Sequence, residues 1–349
     1  MVGLQRCART VLIIYFIFTL TVIYPQTISF KDEAITRGLD FIHDNGGTDQ
    51  KFYVETMGSG ACLIDYDGDK DLDIFFVQGA PLPGWEKEGT LRNQLFRNEG
   101  GQFINVTGES GLGETSYGSG CSVADYDNDG DTDLYITNFG EDILYRNEGN
   151  GTFADVSYIA GISSPFWGAS ASFFDADNDG WLDIFVVNHV DYSIQNNPWC
   201  GDKNIERRTY CAPDMFSGIA DQIYHNNGDG TFSDISNSAN ISKLMGKGLG
   251  VATSDIDSDG DIDIYVSNNN LMNYLYINDS TGVFREDALF AGVGYNENGQ
   301  AESGKGVAFG DYDRDGFPDL FITNTSGEPN RLYKNNGEGI FTDVTSLSG

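Results

Sequence analysis

Positive charge is what this 349-residue sequence has least of: 20 Lys and Arg stand against 53 Asp and Glu, giving a formal charge of −33. Nucleic acid is thereby excluded as a partner, because a phosphate backbone would be repelled over most of the surface. Histidine is scarce too. His43, His189 and His225 are scattered, and no Ser, Cys or His constellation of a nucleophilic enzyme is visible. Eight prolines against 44 glycines, with 18 Tyr and 23 Phe, point to short strands and tight turns, so the chain reads as all-β. Hydrophobic residues make up 40% and aromatics 13%, enough for a packed core, which excludes a disordered acidic tail.

The apolar run at residues 11–24, "VLIIYFIFTLTVIY", follows Arg6 and Arg9 and is too short for a comfortable membrane span. Residues 1–27 read as an export signal or an uncleaved N-terminal anchor, which would be the chain's one tie to a membrane. Cys7 lies in this segment. Cys200 and Cys211 flank "CGDKNIERRTYC" and are expected to close a small loop, whereas Cys62 and Cys121, at nearly equivalent repeat positions, read as buried thiols.

What the sequence has in excess is a repeat. An acidic turn recurs five times: "DYDGDKDLDI", "DYDNDGDTDL", "DADNDGWLDI", "DIDSDGDIDI" and "DYDRDGFPDL". A pair of small residues precedes each turn, such as Gly118/Gly120 and Gly248/Gly250. Each turn runs into an apolar strand, then into a strand entering a Gly/Asn hairpin, as in "LYRNEGNGTF". A short strand opening on Phe103, Phe153, Phe232, Phe284 or Phe341 completes the unit. Four short strands per unit, repeated at 50 to 80 residues, fit the blades of a β-propeller spanning residues 28–349, with an insertion at 189–222 on the third blade. Tyr145, Tyr224, Tyr276 and Tyr333 fall at strand periodicity and are expected in the core. A sixth copy of the final strand, at Phe30, has no blade in front of it, which predicts an open arc; five blades closing alone, with the Phe30 segment capping one edge, is the alternative.

Counted from its first Asp, the turn carries Asp at positions 1, 3, 5 and 9 in every copy. These are Asp65, Asp67, Asp69 and Asp73; Asp125, Asp127, Asp129 and Asp133; Asp175, Asp177, Asp179 and Asp183; Asp255, Asp257, Asp259 and Asp263; and Asp311, Asp313, Asp315 and Asp319. Two such carboxylates about 5 Å apart repel by roughly 3 kcal/mol at an effective dielectric near 20, so the turn needs a cation to close it. Position 6 is Gly except for Lys70, which makes the first site the weakest. Position 7 varies among Asp71, Asp131, Trp181, Asp261 and Phe317, so its contribution is a backbone carbonyl. Alternate carboxylates, a Gly turn and a free carbonyl form an oxygen cage suited to Ca²⁺, with about five sites. Zinc is disfavoured because the turns hold no His or Cys. Position 12 is a strand residue rather than Glu, which excludes an EF-hand.

"DxDxDGxxDL" following "GxG", with "NxGDGTFxDVT" behind it, resembles the FG-GAP/VCBS repeats of integrin α-subunit propellers. The stretches "ETMGSGACLIDYDGDKDLDIFFVQG" and "CGDKNIERRTYCAPDMFSGIADQIYHNNGDGTFSDIS" resemble the cartilage acidic protein family. The resemblance covers residues 28–349. It implies a secreted, calcium-binding propeller of seven blades, about five of them present here, with relatives often carrying an ASPIC/UnbV segment that this sequence does not contain. The function expected is an extracellular protein-interaction or adhesion scaffold whose turns are locked by calcium. A glycan-binding, lectin-like propeller is the alternative, and an enzyme or enzyme-accessory domain ranks behind it. His225, at the third-strand position of Arg146 and Lys334, reads as a surface residue, and His43 as part of a plain turn, with a place lining a central opening as its alternative.

Overall fold

The structure, a computed structural model, describes residues 29–347. The export segment and Cys7 lie outside the described residues. Five four-stranded antiparallel sheets follow one another along the chain, each a meander. Blade 1 comprises Ala61–Ile64, Asp73–Phe76, Gln94–Asn98 and Phe103–Asn105, and blade 2 comprises Gly118–Ala124, Asp133–Asn138, Ile143–Asn147 and Phe153–Asp155. Blade 3 comprises Gly168–Phe174, Asp183–Asn188, Gln222–Asn226 and Phe232–Asp234. Blade 4 comprises Gly248–Ser254, Asp263–Asn268, Tyr274–Ile277 and Arg285–Glu286, and blade 5 Gly304–Gly310, Asp319–Asn324, Arg331–Asn335 and Phe341–Asp343.

The second strands show why the sheets stack radially. In blades 2, 3 and 4 every residue of that strand is buried, so both faces need cover, and neighbouring blades supply it. Leu134 and Ile136 of blade 2 meet Phe75 and Leu95 of blade 1, while Tyr135 and Leu144 face Ile184 and Val186 of blade 3. Phe185 and Ile223 then meet Ile264 and Tyr276, and Tyr265 and Leu275 meet Leu320 and Tyr333. The core is therefore four inter-blade layers, each large side chain contributing about 1.5–3 kcal/mol by leaving water.

The first strands lie innermost, and residues from all five line one central cavity of about 500 Å³. The small-residue pairs serve this convergence. A Cβ on Gly120 would sit 2.9 Å from the Ala169 carbonyl oxygen, and one on Gly250 would sit 2.3 Å from that of Lys305. Convergence also corrects the expectation for Cys62 and Cys121. The two stand at equivalent points on adjacent inner strands, 6.0 Å apart at Cα, and they form a disulfide. The expected Cys200–Cys211 bridge is present as well, beside the ribbon formed by Cys200–Asp202 and Arg207–Thr209.

The N-terminal segment and the 189–222 insertion meet over one end of the cavity. Tyr53, Trp167, Tyr192 and Phe216 pack there into one aromatic cluster. The buried Glu55 carboxylate ties the two segments together, accepting from the backbone of Thr48 and Phe52 and from the Tyr210 hydroxyl. His43 is more than a turn residue: its Nε2 lies 2.8 Å from the Ser59 hydroxyl, at the cavity lining.

The arc stays open among the described residues. Tyr312 and Phe321 on the forward face of blade 5 are 48% and 41% exposed, whereas Tyr126 and Tyr135, their counterparts in blade 2, are buried under the next blade. At the other end, Gly38 follows a helical turn, Ile35–Arg37, and lies against the Phe103 carbonyl, as Gly161 lies against Phe232 and Gly292 against Phe341. The Phe30 segment thus occupies the place of a fourth strand and its helical turn from a blade ahead of blade 1, with Phe30 itself exposed.

One position, buried in blades 1 to 4 and exposed in blade 5, varies informatively between blades. The residue just before the third strand accepts the N–H at or just past the end of the second strand: Asn93, Asp142, Asp221, Asn273 and Asn330, at 2.7 to 3.0 Å. Burial pushes the Asp221 carboxyl up to about 7 and Asp142 up to about 8. A carboxyl raised above its unfolded value of about 3.9 keeps its proton preferentially in the folded state, so stability falls as pH rises through that window. Asp221→Asn, the residue of three sister blades, is expected to raise the melting temperature at pH 8 and leave it nearly unchanged at pH 4. An equal shift at both pH values would contradict this.

Candidate metal centre

Each acidic turn is built by its own carboxylates. The first Asp accepts the N–H of position 6 through Oδ2, at 2.8 to 3.1 Å, and the fifth accepts the N–H of position 7 through Oδ1. Positions 4 and 6 both take the left-handed conformation, which explains Gly130, Gly180, Gly260 and Gly316 at position 6. Lys70 adopts it too, with φ 74°, and still donates to Asp65, so the first turn keeps its shape at a cost of about 1 kcal/mol.

The ninth Asp is the keystone. Asp73, Asp133, Asp183, Asp263 and Asp319 are buried, and each binds two backbone N–H groups. One belongs to position 2 of its own turn. The other belongs to an Asn of the third strand: Asn98, Asn147, Asn226, Asn278 or Asn335. Burial raises Asp133 and Asp263 to about 7, and Asp73 and Asp183 to about 6.

Those asparagines were legible only as hairpin residues. In blades 2 to 5 the side-chain amide also donates to position 2 of the preceding blade's turn, reaching the carbonyls of Tyr66, Tyr126, Ala176 and Ile256 at 2.7 to 2.8 Å. Each turn is thereby latched to the next blade. The signal was an Asn at one repeat position in "RNEG", "RNEG", "HNNG", "INDS" and "KNNG".

Several carboxylate oxygens aim inward without a donor. Oδ1 of Asp65, Asp127, Asp177, Asp255 and Asp257 is buried with no hydrogen-bond partner. A buried acceptor left this way costs about 1–3 kcal/mol, so these oxygens suit a cation. Burial first, and the neighbouring fifth Asp next, push the third-position carboxyls of Asp67, Asp127 and Asp257 upward. Groups that could share one ion include Asp65/Asp67/Asp73, Asp125/Asp127/Asp133, Asp175/Asp177/Asp179 and Asp255/Asp257/Asp259. At position 7 the Asp261 side chain is engaged by Asn178 and Ser280, and Trp181 and Phe317 lie over Gly228 and Gly337, consistent with a carbonyl contribution there.

The third-strand side chain before the latch also faces the turn, correcting the surface placement of His225. Lys334 pairs with Asp313 and, at 2.9 Å, with Asp315. His225 Nδ1 lies 3.1 Å from Asp183 and 3.7 Å from Asp177. His189, by contrast, is a core residue. It is held between the Tyr53 hydroxyl and the Gly248 carbonyl, and burial lowers its pKa to about 4.

The FG-GAP-like repeat matches residues 65–136, 125–186, 212–266, 255–322 and 311–349, and four of these stretches begin on the first Asp of a turn. The chain belongs to the FG-GAP-like repeat family. Among its relatives, cartilage acidic protein 1 of Homo sapiens is 36% identical over 116 residues, and that of Xenopus tropicalis is 32% identical over 117. The matches take in 32% and 33% of this chain and 17% of each curated relative. Among solved structures, an Agrocybe aegerita lectin recognising non-reducing terminal N-acetylglucosamine has a TM-score of 0.43 and 19% identity, over 81% of this chain and 64% of that one. A Bacillus licheniformis rhamnogalacturonan lyase has a TM-score of 0.42 and 14% identity, over 82% and 50%. At these scores the likenesses bear on neither function nor blade number. As FG-GAP-like repeats, the five blades share one turn design.

Proposed function

We propose that this chain is a secreted calcium-binding β-propeller that serves as an extracellular protein-interaction scaffold, its blades locked by about five Ca²⁺. The observation carrying this reading is the set of buried carboxylate oxygens without donors, recurring at matched positions in several turns. Oxygen-only donor sets at positions 1, 3, 5 and 9, with the carbonyl of position 7, favour Ca²⁺ over Mg²⁺, which keeps its waters. Two disulfides support an oxidising compartment, and no helix among the described residues is long and apolar enough to cross a membrane. Carboxylates holding a cation are poor general bases, so the turns serve structure rather than catalysis.

Calcium titration by calorimetry tests the reading. Asp127→Ala is expected to remove one equivalent of Ca²⁺, because it deletes a side-chain ligand. Trp181→Ala should leave the stoichiometry unchanged, because only its carbonyl is used. Loss of an equivalent in Trp181→Ala, or none in Asp127→Ala, would overturn the assignment. For the partner, Tyr145, Tyr224, Tyr276 and Tyr333 are buried, and exposed aromatics such as Tyr158, Phe290 and Trp199 fall at different repeat positions, which favours a protein over a repeated set of sugar pockets. A screen of matrix proteins beside a glycan array separates the two, and binding confined to sugars would reverse the preference.

A further inference from the structure

The third blade carries a metal-binding side chain at a position where none of the other four has one. Where blades 1, 2, 4 and 5 place Arg97, Arg146, Ile277 and Lys334, blade 3 places His225, beside its acidic turn. None of the four counterparts suits a cation site: two are guanidiniums, one is an ammonium and one is a hydrocarbon. An imidazole nitrogen does.

Its geometry is that of a ligand set. His225 Nδ1 lies 3.1 Å from Asp183 Oδ1 and 3.7 Å from Asp177 Oδ2. Nitrogen and oxygen ligands each about 2.0–2.1 Å from one tetrahedral ion stand roughly 3.3 Å apart, so these atoms need move only a few tenths of an ångström. Asp183 is fixed by the N–H groups of Asn226 and Ala176, at 2.8 and 2.9 Å. Asp177 Oδ1 is one of the buried oxygens with no donor.

We propose that Asp177, Asp183 and His225 form a mixed nitrogen–oxygen site for a first-row transition metal of the zinc class, distinct in preference from the all-oxygen turns of the other blades. The inference rests on the reading of the turns as cation sites. Imidazole with carboxylate suits Zn²⁺, Co²⁺ or Ni²⁺, whereas Ca²⁺ and Mg²⁺ take oxygen. Asp177 also belongs to the Asp175/Asp177/Asp179 group, so the two cations compete for it. The third turn would then exchange a hard cation for a softer one while its neighbours keep calcium.

Cobalt reports on this directly. Calcium-saturated full-length protein titrated with Co²⁺ is expected to gain one equivalent of ligand-field absorption and a paramagnetic shift of the His225 ring, reversed by Zn²⁺. His225→Arg, the residue of blades 1 and 2, should weaken Co²⁺ binding by at least about tenfold, the loss that even outer-shell changes produce. His225→Gln provides a second, neutral variant should the first not fold. An absent ring shift in the wild-type protein, or Co²⁺ affinity unchanged in either folded variant, overturns the proposal while leaving calcium binding intact. Co²⁺ bound at His225 by a protein that takes up no Ca²⁺ would instead sustain the site and sink the calcium reading.

Discussion

Excess chelator is expected to lower the melting temperature of the calcium-loaded protein by roughly 20 °C, with Mg²⁺ restoring little of it. A ligand present at a hundred times its dissociation constant stabilises the folded state by about 2.7 kcal/mol per site. Five such sites approach the whole stability of an ordinary domain, about 5–15 kcal/mol. At about 2.1 cal/mol/K per residue of unfolding entropy, that loss corresponds to the shift given. The structure locates the effect: without an ion, the buried oxygens of Asp65, Asp127, Asp177, Asp255 and Asp257 lack any donor, and like charges crowd each turn. A melt in chelator that superimposes on the calcium-loaded melt would remove the basis of the functional reading.

The second large effect is expected from the Cys62–Cys121 bridge. It spans 59 residues, against 11 for Cys200–Cys211, and loop-closure entropy assigns roughly 4 kcal/mol to the longer and about 3 to the shorter. The sites also differ in what they hold. Cys62–Cys121 staples the inner strand of blade 1 to that of blade 2, whereas Cys200–Cys211 closes a ribbon of the insertion over the cavity. Replacing Cys62 and Cys121 with Ser should lower the melting temperature more than the same change at Cys200 and Cys211. Peptide mapping without reduction should recover the Cys62 and Cys121 peptides joined. Recovery of both as free, alkylated thiols in folded protein would refute the bridge.

What the sequence made legible and what it hid divide along one physical line. Properties internal to a blade could be read: the Asp at positions 1, 3, 5 and 9, the Gly that takes the left-handed conformation, the apolar second strand, and the Phe opening the fourth. Each depends on neighbours a few residues away. Properties set between blades could not. Cys62 and Cys121 read as buried thiols because nothing in one repeat says that inner strands converge within bonding distance of the next. Asn147 looked like a turn residue because its second partner, the Tyr66 carbonyl, lies 81 positions earlier in another sheet. His225 looked like surface because the direction of a third-strand side chain toward the acidic turn is a matter of register, which pairing with the second strand decides.

The asparagine latches make the array directional. Asn335 secures blade 5 to the turn of blade 4, and Asn278 secures blade 4 to blade 3, but the Tyr312 carbonyl of blade 5 receives no such amide among the described residues. A chain of identical nearest-neighbour couplings behaves like a one-dimensional lattice, in which an interior unit is held from two sides and a terminal one from one. Each latch that opens bares the turn behind it and leaves that oxygen cage held by its own blade alone. On the reading of the turns as cation sites, losing an ion and opening its junction are then coupled events.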